Sequence, residues 1–534
     1  MKYNKSLVLI AFTISILFSC ATLKVTNTPI KDLSAIATKQ AELNEEEKYT
    51  WGHLDVLSDS LPGMSVEKTY AEIIKDNKGK NVIVAIIDSG IDINHEDLND
   101  VIWVNTKEVP GNGIDDDKNG YVDDIHGWNF LGDAYDEQLE YIRLLKSGVD
   151  FDRKEEAQAK YDKDYNRAKQ NKTRYESILE KVEGAHKLLE EHFGKTDYTK
   201  TDINGLMSED ADVVKAAQFA KQIYGNGLER MTDAIKELQG GIDYFSARID
   251  VNLNMELKGR STGDDPDDFS QTSYGNGNVK HTIKDESHGT HVAGIIAAER
   301  NNGLGVDGIA NNVQIMAIRA IPNGDEYDKD VALAIRYAAD NGAKVMNTSF
   351  GKAYSPHSDK VREAIVYAAS KDVLIVNAAG NNAIDLDENK SYPNDAVDNG
   401  PEVADNFITV GALSPSNGED VVANFSNYGK INVDVFAPGV KIYSTTPENE
   451  YDTKGGTSMA APAVAGVAAL IRSYFPKLSA SQVKSVLMAS GLPKSGEVII
   501  GGNPDKKSSF YAMSKSGKMV NAYNAFILAS IISK

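Results

Sequence analysis

Cysteine is almost missing from this 534-residue chain: Cys20 is the only one, so no internal disulfide can form and a disulfide-stapled scaffold is excluded. Positive charge is also short. Lys and Arg number 57 against 78 Asp and Glu, a formal net charge of −21, which repels phosphates and argues against a nucleic-acid partner. An acidic balance otherwise only keeps a surface soluble, and no positive function follows from it. Long apolar runs are absent beyond the first twenty residues, so no later segment reads as a membrane helix.

The start of the chain is organised differently. Met1 to Lys5 is basic, and Leu7 to Phe18 is apolar but too short to span a bilayer comfortably. Leu17-Phe18-Ser19-Cys20 then looks like a bacterial lipoprotein processing site, at which Cys20 would be lipidated and become the new N-terminus. The same residues also fit a plain secretory signal or an uncleaved anchor. The expected division is 1–19 signal peptide, 20–50 polar linker, 51–133 and 261–534 one catalytic domain, and 134–260 an insertion. One helix is expected near Val66 to Lys75.

Asn81 to Ile87 is apolar and rich in β-branched residues, as a buried parallel strand is, and Asp88 ends it. Val313 to Ile318, Lys344 to Asn347, Val373 to Ala378 and Ile408 to Val410 read alike. Lys329 to Asn341 and Asp359 to Lys371 carry helical periodicity between them. Strands alternating with helices predict an α/β fold with a twisted, mostly parallel sheet and helices on both faces. Active groups then collect at the carboxyl ends of strands, where Asp88 and Asn381 stand.

Residues 134–260 are not loop-like. Tyr161, Tyr165, Ala168, Lys172, Tyr175, Leu179, Val182, His186, Leu189 and Phe193 step by three and four, and so do Leu228, Met231, Ile235, Leu238, Ile242, Phe245, Ile249 and Asn252. Two long helices packed antiparallel are expected, the first extending on the order of 50 Å, as an arm from the catalytic domain. Gly240-Gly241 is expected to weaken the second by roughly 1 kcal/mol per glycine.

Three strings carry chemistry: Ile87-Asp88-Ser89-Gly90, His288-Gly289-Thr290-His291, and Gly456-Thr457-Ser458-Met459-Ala460-Ala461-Pro462. A serine at its free pKa is a poor nucleophile. It needs an imidazole in contact, and the imidazole needs a carboxylate to hold its tautomer. His288 and Ser458 each open a helical stretch whose free N–H groups favour a developing oxyanion. Pro462 is expected in a helix's first turn, where proline is tolerated. Each residue alone reads as a cap or turn; the three strings together are specific. In their order, Asp then His then Ser, they resemble the subtilases, the subtilisin-like serine peptidases.

The resemblance covers about residues 50–133 and 265–534. It implies a serine endopeptidase with Asp88, His288 and Ser458 as the triad and Asn381, in Ala378-Ala379-Gly380-Asn381, as side-chain donor to the oxyanion beside the Ser458 N–H. It implies that Ser349-Phe350-Gly351 pairs with an extended substrate as an added strand and that Ala378, Ala379 and Gly380 form the opposite pocket wall. Ser391 stands before Tyr392-Pro393 where the family often has glycine, and the 392–393 bond is expected to be cis.

Calcium is the expected cofactor. Asp115, Asp117, Asn119 and Asp123 occupy positions one, three, five and nine of a loop with Gly120 at six, and Tyr121 lies between; position twelve is His126, so this is not an EF-hand. A second calcium site at Asp97 and Asn302, with the carbonyls of Arg300, Leu304 and Val306, is implied by the resemblance. No segment resembles the family's inhibitory propeptide. The expected partners are a polypeptide substrate, a membrane holding the lipid anchor at the bacterial cell envelope, and a protein that meets the arm. A subtilase-shaped envelope scaffold whose arm binds a partner is the alternative function.

Overall fold

The computed structural model describes residues 23, 25–31, 39, 42–225, 227–228 and 230–534. The signal segment and Cys20 lie outside them. Among the described residues no helix is long and apolar enough to cross a membrane.

The first buried run forms β1 (Val82–Asp88). It is followed along the chain by β2 (Gly127–Asn129), β3 (Val313–Arg319), β4 (Val345–Thr348), β5 (Leu374–Ala378), β6 (Phe407–Leu413) and β7 (Val435–Pro438). Across the sheet the order is Leu492–Pro493, Lys518–Met519, β7, β6, β5, β4, β1, β3, β2, with every neighbouring pair parallel except the first. Ile86 faces Ala317 of β3 and Asn347 of β4, so β1 sits where the strand order reverses. Such a switch point opens a crevice at the carboxyl edge, and Asp88 is the last residue of β1.

Side chains alternate across the sheet and build two cores. Val84, Ile86, Ile315, Ala317 and Val376 pack with the histidine-bearing helix His288–Ala297 and the serine-bearing helix Thr457–Tyr474. Ala85, Ile87, Met316, Ile318 and Ile375 pack on the other face with helices Asp328–Asp340 and Ser358–Ser370. Both faces are covered, which is why these strands read as continuous apolar runs.

The N-terminal segment is more than a linker. Trp51, Val56, Leu61, Met64, Val66 and Ile74 join the first core. Within the stretch expected to be linker, the backbone of Ile30 exchanges hydrogen bonds with the Asn524 amide at 2.8 and 2.9 Å. The expected helix near Val66 is one α-turn, Val66–Thr69, running into a π-turn, Tyr70–Ile74.

The insertion is helical as its seams predict. Its long helix, Lys154–Phe193, has 40 residues, about 60 Å at 1.5 Å per residue. Its partner is divided into Ala211–Gly225 and Met231–Ala247, both packed against the long helix. A distal core gathers Val182, Leu189, Tyr198, Ile203, Val213 and Tyr224, and a basal one gathers Tyr141, Ile142, Ala157, Ala168, Leu253 and Tyr354 of the catalytic domain. Gly241 costs helix propensity through its backbone freedom, but its lack of a side chain makes room for Tyr175: a Cβ there would lie 2.2 Å from Cε1 of that ring. Asn252, which interrupts the second seam, donates to the carbonyls of Glu137 and Asn323 at 3.0 and 2.8 Å and ties the arm's return to the domain.

Candidate active site

Asp88 is 1% exposed, and its Oδ1 lies 2.7 Å from Nδ1 of His288. The Ser89 N–H donates to the same oxygen at 2.7 Å. A carboxylate accepts only, so Nδ1 carries the proton and Nε2 is left as the base. Gly289 lets the two strings meet, since a Cβ there would lie 2.6 Å from the Ser89 carbonyl oxygen. Desolvation of the ring opposes its charged form, but the Asp88 carboxylate outweighs this, and the pKa of His288 is raised above 6.5. The imidazolium formed by proton uptake is therefore stabilised.

Every residue of the helix Thr457–Tyr474 is buried except Ser458, which opens onto the groove. Pro462 is its sixth residue, in the second turn rather than the first as expected. Lacking an N–H, it leaves the Ser458 carbonyl without its helical donor. Ser349 supplies the substitute: its Oγ donates to that carbonyl at 2.9 Å. In return the Ser458 Oγ donates to the Ser349 carbonyl at 3.1 Å rather than to His288. Catalytic contacts commonly tighten only when substrate is bound.

Asn381 faces the same groove. Its Oδ1 accepts from the N–H and Oγ1 of Thr457 at 2.8 and 2.9 Å. That double contact fixes the amide and leaves Nδ2 as the donor available to a ligand beside Ser458.

A groove of about 360 Å³ runs away from Ser458, with Ile321 and Gly324 to Glu326 on one side and Phe350 to Ala353 on the other. Of the expected substrate residues, Phe350, Gly351, Ala378 and Gly380 line it, whereas Ser349 and Ala379 lie behind its surface. Ser391 lines it too, and the Tyr392–Pro393 bond is cis.

The acidic loop is rearranged relative to its sequence reading. Carboxylate oxygens of Asp115 and Asp117 converge with one from Glu108 to within 4.8 Å of one another. Asp123 turns away and accepts from the N–H groups of Gly111, Asn112 and Gly113. Asn119 donates to Asp124 at 3.0 Å, and the Tyr121 ring packs on Trp128 and Tyr337. Sequence could not show Glu108, which joins the loop only once its two oxygens accept from the N–H groups of Asp117 and Asp123. These three carboxylate oxygens could hold a metal ion, and Ca²⁺ would need at least three further oxygen ligands from backbone carbonyls or water.

Asp97 and Asn302 do meet, at 2.7 Å, but through the amide nitrogen. Asp97 also accepts from Val306 N–H and Tyr451 OH, and burial pushes its carboxyl pKa upward despite these donors. The arrangement is hydrogen-bonded; a cation would need the Asn302 amide reversed.

The sequence profile of the subtilase family matches residues 79–511. The thermophilic serine proteinase of Bacillus sp. (strain AK1) is 47% identical over 189 residues, 35% of this chain and 43% of that protein. Subtilisin DY of Bacillus licheniformis is 39% identical over 205 residues, 38% of this chain and 69% of that one. Thermitase of Thermoactinomyces vulgaris is 37% identical over 235 residues, 43% of this chain and 74% of that one. The match thus spans less than half of the first relative's length.

Proposed function

The chain belongs to the subtilase family, and from that premise we propose that it is a serine endopeptidase hydrolysing peptide bonds in extended polypeptide. The observation that carries the reading is the 2.7 Å contact of Asp88 with His288, beside a buried helix whose one open residue is Ser458. Ser458 Oγ attacks the carbonyl carbon while His288 Nε2 takes its proton. Asp88 holds the Nδ1–H tautomer and stabilises the imidazolium without taking the proton. The oxyanion accepts from Asn381 Nδ2 and the Ser458 N–H, one of the unpaired donors of the helix's first turn. His288 then protonates the leaving amine, and water repeats the sequence on the acyl-enzyme. Substrate pairs with Phe350 and Gly351 on one side, with Ala378 and Gly380 facing it.

Ca²⁺ is assigned to Glu108, Asp115 and Asp117, where it would neutralise converging charge and stiffen the loop that precedes β2. Asp97 with Asn302 is the secondary assignment. Lipidation of Cys20 would tether the protein to a membrane of the bacterial cell envelope, and the arm's distal half is free to meet a protein. The test is hydrolysis of an unfolded, fluorogenically labelled protein by wild type and by Ser458→Ala. Equal release from both would refute the reading.

A further inference from the structure

One groove wall carries a lysine that no catalytic step uses. Lys352 follows Gly351, and its backbone N–H and C=O both pair with Tyr392 at 2.9 Å. Its side chain is 1% exposed. The ammonium donates to Glu140 Oε2 at 2.7 Å, to the Glu326 carbonyl at 2.7 Å, and lies 2.8 Å from Asp328 Oδ1. Glu326 and Asp328 belong to the opposite wall and the helix behind it. Glu140 comes from the insertion, in the helix Glu140–Ser147 at the foot of the arm. From the same helix Arg143 donates to the carbonyls of Asp325 and Glu326 at 2.8 and 3.0 Å, so the arm grips both walls.

Beside Lys352 lies a small cavity lined by Val331, Val361, Pro393, Glu326 and Asp328. Glu326 and Lys352 line both this cavity and the groove, so these two residues stand between them. Glu326 Oε1 is buried with no hydrogen-bond partner. Two cations, Lys352 and Arg143, face five carboxylates here: Glu137, Glu140, Asp325, Glu326 and Asp328. Burial pushes the Glu326 carboxyl up to about 8, as befits an acid without enough countercharge.

We propose that Lys352 is a plug, held by the insertion's Glu140, that closes a side-chain pocket at the far end of the substrate groove. The wild-type protein then reads no substrate side chain at that position. Withdrawing the plug opens an anionic pocket with an apolar back wall, suited to the stem and head of a lysine or arginine. This rests on the peptidase reading for its effect on selectivity, but the plug itself does not.

Two measurements test it. The first is amine acylation followed by mass spectrometry, performed in Ser458→Ala so that no proteolysis intrudes. Lys352 is expected to react at least ~10-fold more slowly than half-exposed Lys360, and Glu140→Gln is expected to remove most of that protection. Reaction of wild-type Lys352 at the rate of Lys360 overturns the proposal. The second is a peptide library varied at each position. Wild type is expected to be indifferent at the outlying position, and Lys352→Ala to prefer Lys or Arg there on the order of tenfold. Glu140→Gln, which retains the lysine and is the milder change, should move the profile the same way. Sharp wild-type selection there, or an unmoved profile in both variants, also overturns it. If no peptide is cleaved by any form, the peptidase reading fails and acylation still decides the plug.

Discussion

Removing the Ser349 hydroxyl isolates one consequence of Pro462. The Ser349 Oγ donates to the Ser458 carbonyl at 2.9 Å and accepts from the buried Asn347 Nδ2 at 2.9 Å. Ser349→Ala strands both groups, and each stranded buried group costs about 1–3 kcal/mol, so a loss of at least ~2 kcal/mol is expected. Part of that loss depends on proline. Pro462→Ala restores an N–H four residues beyond Ser458, which can satisfy the same carbonyl. Ser349→Ala should therefore cost less in the Pro462→Ala background, by about 0.5–1.5 kcal/mol, while the Asn347 contribution persists in both. All four proteins are made with Ser458→Ala, which keeps the backbone carbonyl and removes autolysis, and urea midpoints are compared at equal slope. Strict additivity of the two substitutions would refute the claim that the serine replaces the missing helical donor.

Other outcomes follow from the same geometry. Asn381→Leu should lower kcat by about 10²–10³ with KM little changed, the size known for loss of one such donor in subtilisin. Because Asp88 raises the pKa of His288, the base form of His288 is lost below a midpoint above 6.5. Plots of kcat/KM should rise with pH through that midpoint, and Asp88→Asn should lower both the midpoint and the plateau. The ion pair's contribution to stability has the opposite sense: it is complete below the unfolded-state pKa and is lost as pH rises through the higher folded value. Chelation should lower the thermal midpoint of the wild type, and Asp115→Asn with Asp117→Asn should remove the larger part of that calcium-dependent shift. Gly241→Ala should speed amide exchange around Tyr175 without changing turnover, because the added methyl meets the ring at 2.2 Å.

The parallel strands were legible because burial on both faces demands unbroken β-branched runs, and β1 ends at Asp88 as its sequence implies. The arm was legible because a helix packed along its length must repeat its apolar positions every three or four residues. Glu108, the Glu140–Lys352 contact and the Ser349 substitute were not legible. Each is a contact between residues that carry no periodic signal; Ser349 and Ser458 are 109 positions apart and Glu140 and Lys352 are 212. The acidic loop misled for a related reason: position in a run says which residues are acidic, whereas backbone N–H groups decided where Asp123 points.

The most direct measurement is adduct mapping with a fluorophosphonate, which phosphonylates only a serine whose proton a neighbouring base removes. A single adduct on the peptide carrying Ser458, absent in His288→Ala and His288→Gln and formed much more slowly in Asp88→Ala, is the expected result. An unmodified Ser458 in folded, calcium-loaded protein, or an adduct formed equally without His288, would contradict the claim that these three residues act as one nucleophilic unit.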